Sequence, residues 1–90
     1  MAWKIVFEES AKKELLTLDR KAQTEVVHYL RSRIATELDP RRFGEPLRKE
    51  IAGLWKYRIG NYRVICEIKD EEVTVLVIRI GHQSKVYGGH

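Results

Sequence analysis

Ninety residues, 43% of them apolar and 33% charged, suffice for a single domain spanning residues 1–90 and are too few for two. No run approaches the roughly 18 uncharged apolar residues of a membrane helix. The opening MAWKIVFEES lacks the basic, apolar and small-residue segments of a signal peptide, so a cytoplasmic location is expected. The single cysteine, Cys66, excludes an internal disulfide and a Cys-rich zinc site and reads as a small buried apolar residue. The net charge of +4 falls entirely in residues 40–90, where 10 Lys and Arg face 6 Asp and Glu, whereas residues 1–39 hold 7 of each sign. Such asymmetry points to a polyanionic partner met by the C-terminal half.

Residues 3–7 alternate apolar and polar loosely enough for a short strand, with Trp3, Ile5 and Phe7 on one side. Ser10 is the candidate N-cap of a helix of about two turns whose apolar positions are Ala11, Leu15 and Leu18. Asp19 can end that helix and cap a longer one. The second helix carries Ala22, Val26, Val27, Leu30, Ile34 and Leu38 on one stripe and is stopped by Asp39-Pro40. The connection between the two is so short that an antiparallel hairpin laid on a sheet is expected. Residues 40–53, with two prolines and two glycines, read as an irregular connector.

The remainder is β-rich, with strands expected at residues 54–59, 62–68 and 73–80. The fold class is thus α+β: an N-terminal strand, a two-helix hairpin, then an antiparallel three-stranded meander with the helices on one face. Gly60-Asn61 suits a two-residue type II′ turn, and this choice fixes a register in which Ile59 faces Tyr62, Arg58 faces Arg63 and Trp55 faces Cys66. One face of the hairpin is then apolar (Trp55, Tyr57, Ile59, Tyr62, Val64, Cys66) and the other carries Lys56, Arg58 and Arg63. Two arginines placed directly opposite each other destabilise a sheet. They become useful if a phosphodiester sits between them, where guanidiniums can hold it and stabilise a pentacoordinate transition state. The plainer alternative is a solvated charged face that discourages edge pairing.

The tail GHQSKVY (81–87) supplies the acid–base groups nearest this face. If residues 69–72 form a compact turn, His82 and Tyr87 come alongside Arg63. His82 could then move a proton, and Tyr87 could hydrogen-bond the attacking hydroxyl or stack on a base. His28 reads as a solvated helix residue, Trp3 and Trp55 as core or groove residues, and Glu8, Glu9 and Glu14 as solvated charges near a helix start.

The stretches LRKEIAGLWKYRIG (47–60), NYRVI (61–65) and GHQSKVY (81–87) together resemble the RelE branch of the RelE/ParE toxin superfamily, over nearly the whole chain. The resemblance implies a toxin of a type II toxin–antitoxin system that cleaves mRNA in the ribosomal A site by attack of a ribose 2′-hydroxyl, without metal or cofactor. By position, Lys56 and Arg58 resemble the family's basic residues on the second strand, Arg63 its phosphate-binding arginine and Tyr87 its C-terminal active-site tyrosine. His82 matches a histidine common among relatives. Arg48, Lys49, Gln83 and Lys85 fall within the matching stretches as expected RNA contacts, with Gln83 standing where many relatives have arginine and Lys85 as the cation that could substitute. The resemblance also implies a RelB-like antitoxin that covers the basic face. Two other readings share the fold: a ParE-like inhibitor of DNA gyrase that cuts nothing, and a nucleic-acid-binding module of weak catalytic power.

Overall fold

A computed structural model describes residues 2–47 and 53–82. Strand β1 (Lys4–Phe7) leads into helices α1 (Glu9–Thr17) and α2 (Arg20–Tyr29), and α2 continues through a π-wound turn at Leu30–Ile34. A 3-10 turn at Pro40–Phe43 precedes the two-residue strand β2 (Glu45–Pro46). The strands β3 (Leu54–Ile59), β4 (Tyr62–Lys69) and β5 (Thr74–His82) complete one sheet of order β1-β5-β4-β3-β2. The architecture is α+β, as expected. The sheet is mixed, because β1 runs parallel to β5 and pairs Lys4 with Thr74 through Phe7 with Val77.

The helices form where the sequence allows, with two adjustments. Asp19 caps α2 by accepting a hydrogen bond from the Ala22 N–H at 2.8 Å. Ser10 does not cap α1. The Glu8 N–H donates to the Val77 carbonyl at 2.9 Å, which carries the β1–β5 ladder one residue past Phe7, and the helix starts immediately afterwards at Glu9. Ser10 therefore lies inside the first turn. The apolar stripe of α2 also ends early: Ile34 is fully buried but Leu38 is 53% exposed. The chain leaves the helix at Ala35 (φ −79°, ψ 59°), and the Thr36 carbonyl accepts from the Trp3 N–H at 2.8 Å, so a tertiary bond to the N-terminus stops the helix before Pro40 can.

The core lies between the helices and one face of the sheet. Ala11, Val26, Leu30 and Ile34 from the helical layer meet Tyr57, Ile59, Val64, Cys66, Ile68, Val75, Val77 and Ile80 from the strands, with Trp3 and Trp55 packed at the margin. Cys66 is buried among these apolar neighbours, which pushes its thiol pKa up to about 12 and keeps it neutral. No helix among the described residues is long and apolar enough to cross a membrane.

Where β1 stops, α1 completes the edge of the sheet. A Glu14 carboxylate oxygen accepts from the Ile80 N–H at 2.7 Å while the other oxygen pairs with Arg79 Nε at 3.2 Å. Glu14 is therefore a structural cap on β5, not a solvated charge. An edge N–H that lacked a strand partner is satisfied by a helix side chain.

Candidate active site

The β3–β4 hairpin has the register expected from its turn: Ile59 pairs with Tyr62, Arg58 with Arg63, Tyr57 with Val64, Lys56 with Ile65 and Trp55 with Cys66. Gly60 takes φ +59° and Asn61 stays out of the positive-φ region, as a type II′ turn requires. The same alternation that buries Tyr57, Ile59, Val64 and Cys66 against the helices sends Lys56, Arg58 and Arg63 to the other face. Arg58 is exposed and Arg63 half-buried. Their direct opposition costs a few tenths of a kcal/mol to about 1 kcal/mol.

The neighbouring strand adds a further feature. The β4–β5 ladder shifts register between Ile65 and Cys66, so that Cys66 faces Val77, Ile65 faces Arg79, and Ile78 is the extra residue of a β-bulge. Beyond the bulge Ile80 faces Val64 and stays in the core, while Gly81 faces Arg63. The strand position opposite Arg63 thus carries no side chain. Without the bulge, Ile80 would stand there.

The third wall comes from the segment that had read as an irregular connector. Asp39 accepts from the Arg41 N–H at 3.0 Å and Pro40 opens the 3-10 turn. The Tyr57 hydroxyl donates to the Pro40 carbonyl at 2.8 Å in a buried site, and burial holds that phenol's pKa far above its ordinary value. Arg41 fastens the outer side of the turn, bonding Asp70 at 2.6 Å and lying 5.8 Å from the Trp55 ring centre. The turn delivers β2, where Glu45 is the cross-strand partner of Lys56 and pairs with its ammonium at 3.5 Å.

Phe43, Glu45, Lys56, Tyr57, Arg58 and Arg63 enclose a cavity of about 80 Å³. Chemically it offers two guanidiniums for a phosphate, an ammonium, and a carboxylate that can accept a proton. The structure therefore brings together Lys56, Arg58 and Arg63 and adds Phe43 and Glu45, which sequence reasoning missed. A two-residue strand has no readable period, and only the pairing with β3 reveals that Glu45 faces the basic side. The geometry does not bring His82 into this cavity. It is the partner of Tyr62, on the side of the sheet that Ile59 shares, with the two rings 5.8 Å apart edge to face. Arg48, Lys49, Gln83, Lys85 and Tyr87 lie outside the described residues. Among the described residues no group of three or more His, Cys, Asp or Glu stands together to ligate a metal ion.

A small mixed sheet with a helical hairpin on one face and an arginine-lined cavity on the other defines the class of toxins to which the sequence bore a resemblance. A family model described as the ParE toxin of the type II toxin–antitoxin system parDE matches residues 5–87. Toxin RelG of Mycobacterium tuberculosis is 33% identical over 87 residues, covering 97% of this chain and 98% of that toxin. Toxin RelE of the same organism is 41% identical over 49 residues, 54% of this chain and 50% of that toxin. In structure, the chain is similar to the toxin in the Mycobacterium tuberculosis RelBE2 toxin–antitoxin complex, with a TM-score of 0.83 at 31% identity over 93% of this chain and 94% of that one. A mutant of Escherichia coli toxin RelE in the free state follows with a TM-score of 0.73 at 26% identity, covering 98% and 93%. The chain belongs to the RelE/ParE superfamily of type II toxin–antitoxin toxins.

Proposed function

We propose that this toxin is a ribosome-dependent endoribonuclease that cleaves mRNA in the A site and so inhibits translation, and that a RelB-like antitoxin restrains it. The observation that carries the reading is the cavity built on the opposed Arg58 and Arg63, an arrangement that costs the sheet stability and is suited to a phosphodiester. Similarity to RelG and to the RelBE2 toxin–antitoxin complex supports the same reading, including a cognate antitoxin.

In the proposed reaction the 2′-oxygen of one nucleotide attacks the adjacent phosphorus, the P–O5′ bond breaks, and the products are a 2′,3′-cyclic phosphate and a free 5′-hydroxyl. Arg58 and Arg63 hold the non-bridging oxygens and stabilise the charge that grows on them. Glu45 accepts the proton of the 2′-hydroxyl, and the Lys56 ammonium, paired with that carboxylate at 3.5 Å, gives a proton to the leaving 5′-oxygen. Tyr87 orients the attacking hydroxyl or stacks on a base, and Arg48, Lys49, Gln83 and Lys85 contact the flanking RNA. His82, seated against Tyr62 outside the cavity, is given no proton to carry in this reaction.

End-group analysis of fragments from a translated message tests the chemistry. Downstream fragments that accept 5′-phosphate from a kinase without prior dephosphorylation, and upstream fragments that resist 3′-end ligation until the cyclic phosphate is opened and removed, are expected. Fragments carrying 5′-phosphates would exclude 2′-hydroxyl attack.

A further inference from the structure

Beside the cavity runs a second concave surface of about 230 Å³, between the end of α2 and the β3–β4 turn, whose lining includes Glu25, Tyr29, Arg33, Arg58 and Gly60. Two residues join it to the cavity. Arg58 lines both. The Arg33 guanidinium stands 5.7 Å from the ring centre of Tyr29 in the groove and 5.7 Å from that of Phe43 in the cavity wall. Arg42 covers the Phe43 ring from 5.0 Å.

Arg33, Arg42 and Arg58 are all exposed, and among the described residues none of the three is in an ion pair. A guanidinium laid on an aromatic face is held in place by that face, while its N–H fork remains available to a phosphate oxygen. Such stacks also support the plane of an unpaired base. The far end of the groove is closed by Glu25, whose carboxylate lies so close to Gly60 that a Cβ there would meet Oε2 at 2.8 Å. A carboxylate repels a phosphate chain and sets the limit of the track.

We propose that this groove is a second RNA subsite, which receives the single strand next to the scissile phosphate: Arg58 and Arg33 bind successive backbone phosphates, and the Tyr29–Arg33–Phe43 stack supports the intervening base. The subsite rests on the nuclease reading only for which phosphate is cleaved. RNA is favoured over an acidic peptide because the cations are interleaved with aromatic planes and continue directly from the cavity.

The full-length toxin, its Arg33→Ala variant and its Arg33→Lys variant would be titrated with a fluorescein-labelled uridine dinucleotide and octanucleotide at several salt concentrations. The octanucleotide should bind Arg33→Ala about tenfold more weakly than the wild type and with a shallower salt dependence. The dinucleotide, whose single phosphate is held by Arg58 and Arg63, should bind both equally. Arg33→Lys should recover part of the loss, because it keeps the charge and not the planar stack.

On programmed ribosomes, Arg33→Ala should raise KM and leave kcat unchanged. If the strand is the message, that increase disappears when the message is truncated at the A-site codon; if it is ribosomal RNA, the increase persists. Unchanged octanucleotide binding by Arg33→Ala, or an effect confined to the antitoxin complex, overturns the subsite. Loss of octanucleotide binding in a toxin whose wild type leaves messages intact would keep the subsite and remove the nuclease reading.

Discussion

A Cβ placed on Gly44 would lie 2.8 Å from Cε1 of Tyr57 and 2.9 Å from the Lys56 carbonyl oxygen. The backbone of the 3-10 turn thus rests directly on β3, and the next residue, Glu45, is delivered to Lys56 by that contact. Gly44→Ala must push the turn away from a strand that is fixed on both edges. A loss of about 1–3 kcal/mol is expected. Tyr57→Phe, which leaves the buried Pro40 carbonyl without its donor, should cost a comparable amount, about 1–3 kcal/mol. Urea denaturation measures both. Gly44→Ala should also lower cleavage more than Tyr57→Phe does, because it displaces Glu45 and Phe43 themselves.

Val73 is the one non-glycine residue with positive φ among the described residues, at φ 49° and ψ 47° in the β4–β5 turn. A β-branched side chain is strained there. The conformation persists because the Val73 carbonyl accepts from the Lys4 N–H at 2.9 Å and so anchors the start of β1. Val73→Gly should raise stability by about 0.5–1 kcal/mol, the relief of strain exceeding the added chain entropy of glycine. A lowered melting temperature would show that the side chain contributes more by packing than it loses by strain.

Glu14→Ala removes the acceptor of the Ile80 N–H at an edge that no strand among the described residues covers, with an expected loss of about 1–3 kcal/mol. Glu14→Gln keeps an acceptor for that N–H and gives up the ion pair with the half-exposed Arg79, so its cost should stay below about 1 kcal/mol. A calorimetric comparison of the two variants separates hydrogen bond from ion pair. Equal losses would assign the whole effect to the charge.

Alkaline pH should unfold the protein through its buried acids. Burial raises the Cys66 thiol to about 12 and the Tyr57 phenol well above its ordinary value, so both are neutral in the native state and ionise more readily when the chain unfolds. Their contribution is complete below the unfolded thiol's pKa near 9 and is lost as pH rises from there toward 12. Circular dichroism at increasing pH should show the transition shifted upward in Cys66→Ala once its lower starting stability is taken into account. At pH 8 iodoacetamide should modify Cys66 only in denaturant.

The sequence carried the hairpin completely, because Gly60-Asn61 admits a single loop length and the alternation of Tyr57, Ile59, Val64 and Cys66 admits a single buried face. The opposition of Arg58 and Arg63 followed from that register. What the sequence did not carry was long-range. The bulge at Ile78 that brings Gly81 to Arg63 and takes His82 to Tyr62 follows from the need to keep both Val77 and Ile80 in the core, a demand invisible to local periodicity. The parallel pairing of β1 with β5, the termination of α2 by a bond from Trp3 to Thr36 and the capping of Ile80 by Glu14 all join residues more than thirty positions apart. Glu45 and Phe43 were hidden in a segment whose prolines and glycines mark a loop and do not say which strand it will lie on.

A phosphate site made by Arg58 and Arg63 should be indispensable for cutting message. Primer extension on an mRNA translated in vitro, comparing the wild-type toxin with Arg58→Ala and Arg63→Ala, tests it most directly. Discrete cuts within A-site codons that require ribosomes and are lost in both variants are expected, with the folding of the variants checked by their unfolding transitions. Intact message with the wild type, or cuts that survive Arg63→Ala in a folded protein, would contradict it and favour a toxin that binds its target without cleaving RNA.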